Sequence, residues 1–203
     1  TGRMADIVLP ASAWLERDNV ISSFQSNNTH TLIQQKAASV GQARSEMGIR
    51  TVFNILGPLA NPSRAKNMVV GVYSPSLTEK VATAMSRLGV ERAYVVSGED
   101  NMDEITLTGA TTVSEIRDGA VTTFTITPEQ FGMKRVSLEE LRGGSGGENA
   151  KITRDILDGT ERGAKRDIVL LNTGATLYVG GVAESMEAGV KLAAEAIDSG
   201  AAA

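Results

Sequence analysis

Residues 68–97 are predicted to form a strand, a helix and a second strand joined by short connections. Residues 68–73 (MVVGVY) are an apolar run rich in β-branched side chains, which is typical of a strand buried on both faces. Ser74 and Pro75 then suit a helix start, apolar residues recur at helical spacing, and Gly89 suits a helix end. Residues 93–97 (AYVVS) predict the next strand. Because such a crossover joins parallel strands, this segment predicts an α/β fold with a parallel sheet.

Further elements follow from turn residues and apolar runs. Residues 112–117 and 120–126 are strand-like, and Asp118-Gly119 between them is a strong signal for a type I′ hairpin. Residues 168–172 (IVLLN) predict a third buried strand. Helices are expected from 148 to about 157, after a glycine-rich loop, and from a Ser185 cap to Gly200. The predicted fold class is α/β: a mainly parallel sheet flanked by helices, with an antiparallel hairpin, preceded by a short unrelated N-terminal segment.

Composition excludes several classes of function. The 203 residues carry a net charge of −4 without a cluster of Lys and Arg, which argues against a nucleic-acid binder. The chain has no cysteine, so disulfides and cysteine-ligated metal centres are excluded, and a cytoplasmic location is expected. No apolar run approaches the roughly 20 residues of a membrane span, and no membrane association is expected.

Four acidic residues follow the strand predicted at 93–97, within residues 98–104 (GEDNMDE). Ligands of open parallel sheets bind outside the carboxyl ends of the strands, so this segment is well placed for a site. Neighbouring carboxylates suit Mg²⁺ that bridges to substrate phosphates. An ordinary acidic surface loop has the same composition and is the more common arrangement. The residues alone leave both interpretations open.

A longer motif indicates a family. Residues 50–62 (RTVFNILGPLANP), together with MGI at 47–49, resemble the hinge segment of the anthranilate phosphoribosyltransferases of glycosyltransferase family 3. The resemblance covers about residues 44–203. It implies transfer of a phosphoribosyl group from phosphoribosyl pyrophosphate to anthranilate, a step of tryptophan biosynthesis, and a homodimer for the intact family enzyme.

The resemblance also implies roles for individual residues. The GEDNMDE segment is similar to the family's Asp-Glu motif, and the match assigns Asp103 and Glu104 to magnesium on phosphoribosyl pyrophosphate. Arg44 matches an arginine that reaches the anthranilate carboxylate, for which a guanidinium fork is well suited. Gly57 matches a residue that lines the anthranilate pocket. No catalytic acid, base or nucleophile is assigned.

Two family motifs do not occur in these residues. The family binds pyrophosphate with a GTGGD loop and a KHGNR segment, and neither is found in residues 1–203. Because the backbone N–H groups of such a glycine loop supply much of the phosphate binding, we expect no turnover by this chain.

The first residues resemble a different family. Residues 4–18 (MADIVLPASAWLERD) are similar to a segment of molybdopterin-dependent oxidoreductases. The predicted organisation is therefore an oxidoreductase-like segment at 1–45, a hinge at 46–66 and a truncated α/β phosphoribosyltransferase-like domain at 67–203. The changeover is expected near residues 43–47, so Arg44 falls inside the overlap.

Two alternative functions stay open at this point. One is a non-catalytic chimeric or fragment product that serves at most as an interaction module, which the missing phosphate loop favours. The other is a pyrimidine nucleoside phosphorylase-like member of the same family, against which residues 56–62 argue. Formation of product from anthranilate, or phosphorolysis of thymidine, would distinguish them.

Overall fold

The computed structural model describes residues 19–25, 28–34, 59 and 65–202. The chain divides into two units, Thr1–Asn61 and Pro62–Ala203, and each is described by itself. In the first unit, strand β1 (Asn19–Gln25) pairs antiparallel with strand β2 (Asn28–Gln34). The domain boundaries expected near residues 45 and 66 stay predictions.

The second unit is built on a four-stranded sheet with helices on both faces. In chain order its elements are β3 (Asn67–Gly71), α1 (Pro75–Arg87), β4 (Arg92–Gly98), β5 (Thr111–Arg117), β6 (Ala120–Ile126), a 3₁₀ turn (Pro128–Phe131), α2 (Leu138–Leu141), α3 (Gly146–Leu157), α4 (Ala164–Val179) and α5 (Met186–Asp198). The strand order is β3-β4-β5-β6. Strand β3 is parallel to β4, and the other two neighbouring pairs are antiparallel. Among the helices of residues 65–202, none combines the length and apolar character of a membrane span.

The predicted strand-helix-strand unit is confirmed. Strand β4 is buried along nearly its whole length, as expected for a central strand covered on both faces. Helix α1 starts at Pro75 and is followed by Gly89 with a φ of +89°, the left-handed conformation that glycine adopts most easily past a helix end. The helix buries Val81 and Met85 against the sheet.

The predicted hairpin is confirmed too. Strands β5 and β6 pair antiparallel from Thr111 opposite Ile126 to Arg117 opposite Ala120. Asp118 and Gly119 form the turn with φ values of +52° and +78°, as a type I′ turn requires.

The third strand predicted at residues 168–172 is wrong, because these residues lie inside helix α4. A short apolar run does not distinguish a buried strand from a buried helix by periodicity alone. Here the run continues into a 16-residue helix that buries Leu170, Leu171 and Ala175. The described sheet is mixed, with one parallel and two antiparallel pairs, and not mainly parallel as predicted. The α/β class with an antiparallel hairpin is confirmed.

The first residues of helices α5 and α3 can be compared with the predicted helix starts. Helix α5 begins after Ser185, whose hydroxyl accepts a hydrogen bond from the Ala188 N–H, as predicted. Helix α3 begins at Gly146, two residues earlier than expected, because Ser145 and Glu148 form a capping box. Part of the predicted glycine-rich loop is therefore the first turn of this helix.

The main core lies between the sheet and helices α4 and α5. Alternate residues of β4, Tyr94 and Val96, contribute to this core, together with Leu107, Leu171 and Val190. The intervening β4 residues point to the opposite face, which α1 covers. The result is three layers, with α1 on one face of the sheet and the α4-α5 pair on the other.

Helices α4 and α5 are in close contact where two glycines meet. A Cβ atom added at Gly174 would lie 2.7 Å from the Val190 amide nitrogen, and one added at Gly189 would overlap the Gly174 carbonyl oxygen. The absence of side chains at these positions lets the two backbones approach, so the pair forms one layer against the sheet.

We expect Gly189→Ala to destabilise the second unit. The added methyl group meets backbone that has no room to move, and overpacking of this kind costs about 1 to 3 kcal/mol. The better helix propensity of Ala, worth about 1 kcal/mol, offsets part of this loss. Urea unfolding followed by circular dichroism measures the difference. Gly147→Ala, in open space on α3, is the control and should not lower stability. Equal stability of the two variants would contradict the close helix contact.

Candidate functional site

The acidic turn, residues 98–104, leaves the carboxyl end of β4 as a defined loop. The Gly98 N–H donates to the Met102 carbonyl oxygen at 2.8 Å, and the Asn101 N–H donates back to the Gly98 oxygen at 3.0 Å. Asn101 has a φ of +64°, a conformation that Asn tolerates better than most residues. These contacts fix the backbone conformation of the turn from which the acidic side chains extend.

Two of the four acids, Asp100 and Glu99, accept hydrogen bonds from the rest of the protein. The Asp100 carboxylate accepts hydrogen bonds from the Thr106 hydroxyl at 2.8 Å, the Thr108 hydroxyl at 2.7 Å and the Met102 N–H at 3.0 Å. Burial acts to raise the pKa of Asp100, but these hydrogen bonds together outweigh it and bring the pKa below its usual value. Glu99 accepts from the Ala110 N–H. Both acids therefore stabilise the turn itself.

The other two acids, Asp103 and Glu104, face solvent. Within the described part of the chain, neither carboxylate has a hydrogen bond or an ion pair. Surrounding protein atoms remove water from part of the Glu104 side chain and raise the pKa of its carboxyl group, and the neighbouring Asp103 charge raises this pKa further. A cation placed between the two carboxylates would relieve both effects.

The position of Asp103 is set by its contact with the end of β3. A Cβ atom at Gly71 would overlap the Asp103 carbonyl oxygen and lie 2.9 Å from the Asp103 Cβ. The Val72 N–H donates to the Val96 carbonyl oxygen at 2.9 Å, so the two parallel strands stay paired up to this point. The acid pair thus lies over the carboxyl ends of β3 and β4, where ligands of parallel sheets bind.

Asn172 of α4 reaches the residue that follows the acid pair. Its Oδ1 accepts from the Ile105 N–H at 3.0 Å, and its Nδ2 donates to the Ile105 carbonyl oxygen at 2.9 Å. Prediction from the sequence placed Asn172 at the end of the strand expected at 168–172, so its contact with Ile105 was not predicted. The signal available in the sequence was the side-chain amide of Asn172 next to a run of apolar residues. The packing of a helix does not require an amide at such a position.

The donor set suits Mg²⁺. This ion prefers carboxylate oxygens, keeps several waters and uses one or two protein carboxylates together with substrate phosphates. In residues 65–202 no group of three or more His, Cys, Asp or Glu side chains could form an all-protein metal cage. An exposed acid pair with open coordination space is therefore the kind of site that a metal-bound phosphate ligand fits.

Arg44 and Gly57, to which the family resemblance assigns contacts with anthranilate, lie outside the described residues. Their roles stay predictions, and so does the resemblance of residues 1–45 to molybdopterin-dependent oxidoreductases.

Comparison with known proteins identifies the family. Residues 10–203 match the family described as "Glycosyl transferase family, a/b domain". The chain belongs to this family. It is 55% identical over 157 residues to the anthranilate phosphoribosyltransferase of Acetivibrio thermocellus, in a match that covers 77% of this chain and 45% of the relative. The family predicted from residues 44–203 is confirmed.

Solved structures show the same fold. The crystal structure of anthranilate phosphoribosyltransferase from Thermus thermophilus has a TM-score of 0.72 at 44% identity, covering 81% of this chain and 48% of that chain. The Saccharomyces cerevisiae enzyme in complex with PRPP and Mg has a TM-score of 0.71 at 32% identity, with coverage of 81% and 47%. The chain thus spans about half the length of these relatives.

We expect Gly71→Ala to displace Asp103, because the added methyl group overlaps main-chain atoms of the acidic turn. Backbone amide resonances of residues 102–105 should shift in NMR spectra, and the free energy of unfolding should fall by about 1 to 3 kcal/mol. Gly147→Ala is the control, since its methyl group would meet nothing within 4 Å. Unchanged resonances at residues 102–105 in Gly71→Ala would contradict the contact.

Proposed function

We propose that this chain is the α/β part of an anthranilate phosphoribosyltransferase, in which Asp103 and Glu104 bind Mg²⁺ together with phosphoribosyl pyrophosphate. The observation that carries the proposal is the exposed acid pair over the carboxyl ends of β3 and β4. Its two carboxylates have no cationic partner in the described residues, whereas the carboxylates of Glu99 and Asp100 accept hydrogen bonds from the protein. Relatives of about 50% identity carry this name.

The reaction proposed for the intact enzyme is attack of the anthranilate amine on C1 of the phosphoribosyl group, with pyrophosphate as the leaving group. When bound, Mg²⁺ neutralises part of the charge that develops on the pyrophosphate. Asp103 and Glu104 would hold the metal-bound pyrophosphate at the edge of the sheet and orient C1. These two residues bind and position; no proton transfer is assigned to them.

The choice of substrates rests on relatives. The Saccharomyces cerevisiae enzyme has been solved in complex with PRPP and Mg, and also with 4-fluoroanthranilate. By resemblance, Arg44 would pair with the anthranilate carboxylate, and Gly57 would line the pocket for its ring. A cytoplasmic location and a homodimer of the intact enzyme are part of the same proposal.

The metal assignment is tested with Mn²⁺, whose paramagnetism broadens the NMR signals of nearby amides. We expect broadening centred on residues 103–104 of the full chain, reversed by excess Mg²⁺. The double variant Asp103→Asn/Glu104→Gln should lose it, because the amides keep the shape but not the charge.

The control removes two charges at the other end of the sheet. Glu91 lies just before β4, and Asp118 lies at the tip of the β5-β6 hairpin. The double variant Glu91→Gln/Asp118→Asn should bind Mn²⁺ as the unmodified chain does. Broadening that persists in the Asp103/Glu104 variant would refute the metal site.

Turnover is a separate prediction. We expect this chain to form no phosphoribosyl anthranilate from anthranilate, phosphoribosyl pyrophosphate and Mg²⁺, because the GTGGD and KHGNR motifs are absent from its sequence. Loss of anthranilate fluorescence measures product formation, with an intact family enzyme as the positive control. Product formation by the chain would show that these motifs are dispensable.

A further inference from the structure

The side chain of Asn172 makes three hydrogen bonds to two backbone segments, with both of its N–H donors used. Its Oδ1 accepts from the Ile105 N–H, one Nδ2 hydrogen goes to the Ile105 carbonyl oxygen and the other to the Ile168 carbonyl oxygen at 3.0 Å. One N–H and two carbonyl partners fix which end of the amide is oxygen. No other side chain of this size offers one acceptor and two donors in this arrangement.

The Ile105 N–H belongs to the same rigid peptide plane as the Cα and carbonyl of Glu104. A hydrogen bond to this N–H therefore fixes the plane from which the Glu104 side chain extends. The Ile105 carbonyl fixes the following plane, and the Ile105 side chain itself is buried at 1% exposure. The backbone after the acid pair is held on both sides of Ile105.

The backbone of the first member of the acid pair, Asp103, contacts β3. Gly71 leaves space for the carbonyl of Asp103, as described above. Asp103 and Glu104 thus lie between one support from the sheet and one from α4. Their own carboxylates are exposed, so these backbone contacts are what directs them within the described part of the chain.

An asparagine at position 172 lowers the stability of helix α4, and its hydrogen bonds to Ile105 offset this loss. Asn is a poor helix former, by about 0.6 kcal/mol relative to Ala, and α4 is otherwise apolar where it faces the core. A leucine at this position would continue the apolar run but leave the Ile105 N–H and carbonyl without partners.

We propose that Asn172 is a positioning residue for the metal site, which holds the backbone of Ile105 and thereby directs the carboxylates of Asp103 and Glu104. The inference rests on the proposed function of that acid pair. Residues that orient metal ligands commonly change metal affinity by about 10- to 100-fold when they are replaced.

The test measures Mn²⁺ affinity of the full chain by the same NMR broadening. We expect Asn172→Leu to weaken Mn²⁺ binding at least tenfold, and Asn172→Asp to do so as well. The aspartate keeps the size and the acceptor but places a carboxylate oxygen against two carbonyl oxygens. Thr176→Val is the control, since it lies one turn further along α4 and loses only a bond to the Asn172 carbonyl.

The readouts separate positioning from folding and from the proposed function. Hydrogen exchange of the Ile105 amide should be slow in the unmodified chain and faster in both Asn172 variants. Unchanged Mn²⁺ affinity in folded Asn172→Leu and Asn172→Asp, with loss in Asp103→Asn/Glu104→Gln, would overturn the positioning role alone. Mn²⁺ binding retained by the Asp103/Glu104 variant would instead overturn the proposed function. Fast Ile105 exchange in the unmodified chain would also overturn the positioning role.

Discussion

The parallel pairing of β3 with β4 is the constraint on which the second unit depends. It brings the carboxyl ends of two strands to one edge of the sheet, with Val70 opposite Val95 and Gly71 opposite Val96. It also requires a connection long enough to return to the other end of the sheet, which α1 supplies. Strand β4 is then a central strand. Helix α1 covers one face of the sheet, and the α4-α5 pair covers the other face. The acidic turn follows β4 in the chain and therefore lies at the edge where the carboxyl ends of β3 and β4 meet.

The acidic turn combines internal hydrogen bonds with the acid pair for which metal binding is proposed. The carboxylate of Asp100 accepts hydrogen bonds from two threonine hydroxyls and a backbone N–H, and this network stabilises the turn. Groups outside the proposed metal site therefore stabilise the conformation of the loop. Asp103 and Glu104 remain available to a ligand, and their mutual repulsion favours a cation there.

Local signals predicted a large part of this fold correctly. The limits of α1, the type I′ turn at Asp118 and Gly119, and the Ser185 cap all depend on residues that are close in sequence. The third strand was wrong, because residues 168–172 have the same apolar pattern in a buried strand as in a buried helix. The contact of Asn172 with Ile105 was not predicted, because the two residues are 67 positions apart in the chain.

By itself, the sequence determined the family, the crossover, the hairpin and the position of the acidic residues after β4. Motifs, turn residues and apolar periodicity are local properties of the chain, so they can be recognised without coordinates. Only the tertiary structure decided which two of the four acids lack a hydrogen-bond partner in the described residues, and that Gly71 contacts the backbone of Asp103 while Asn172 bonds to the backbone of Ile105. Those outcomes depend on contacts between β3, α4 and the turn, and such contacts arise only when distant segments pack together.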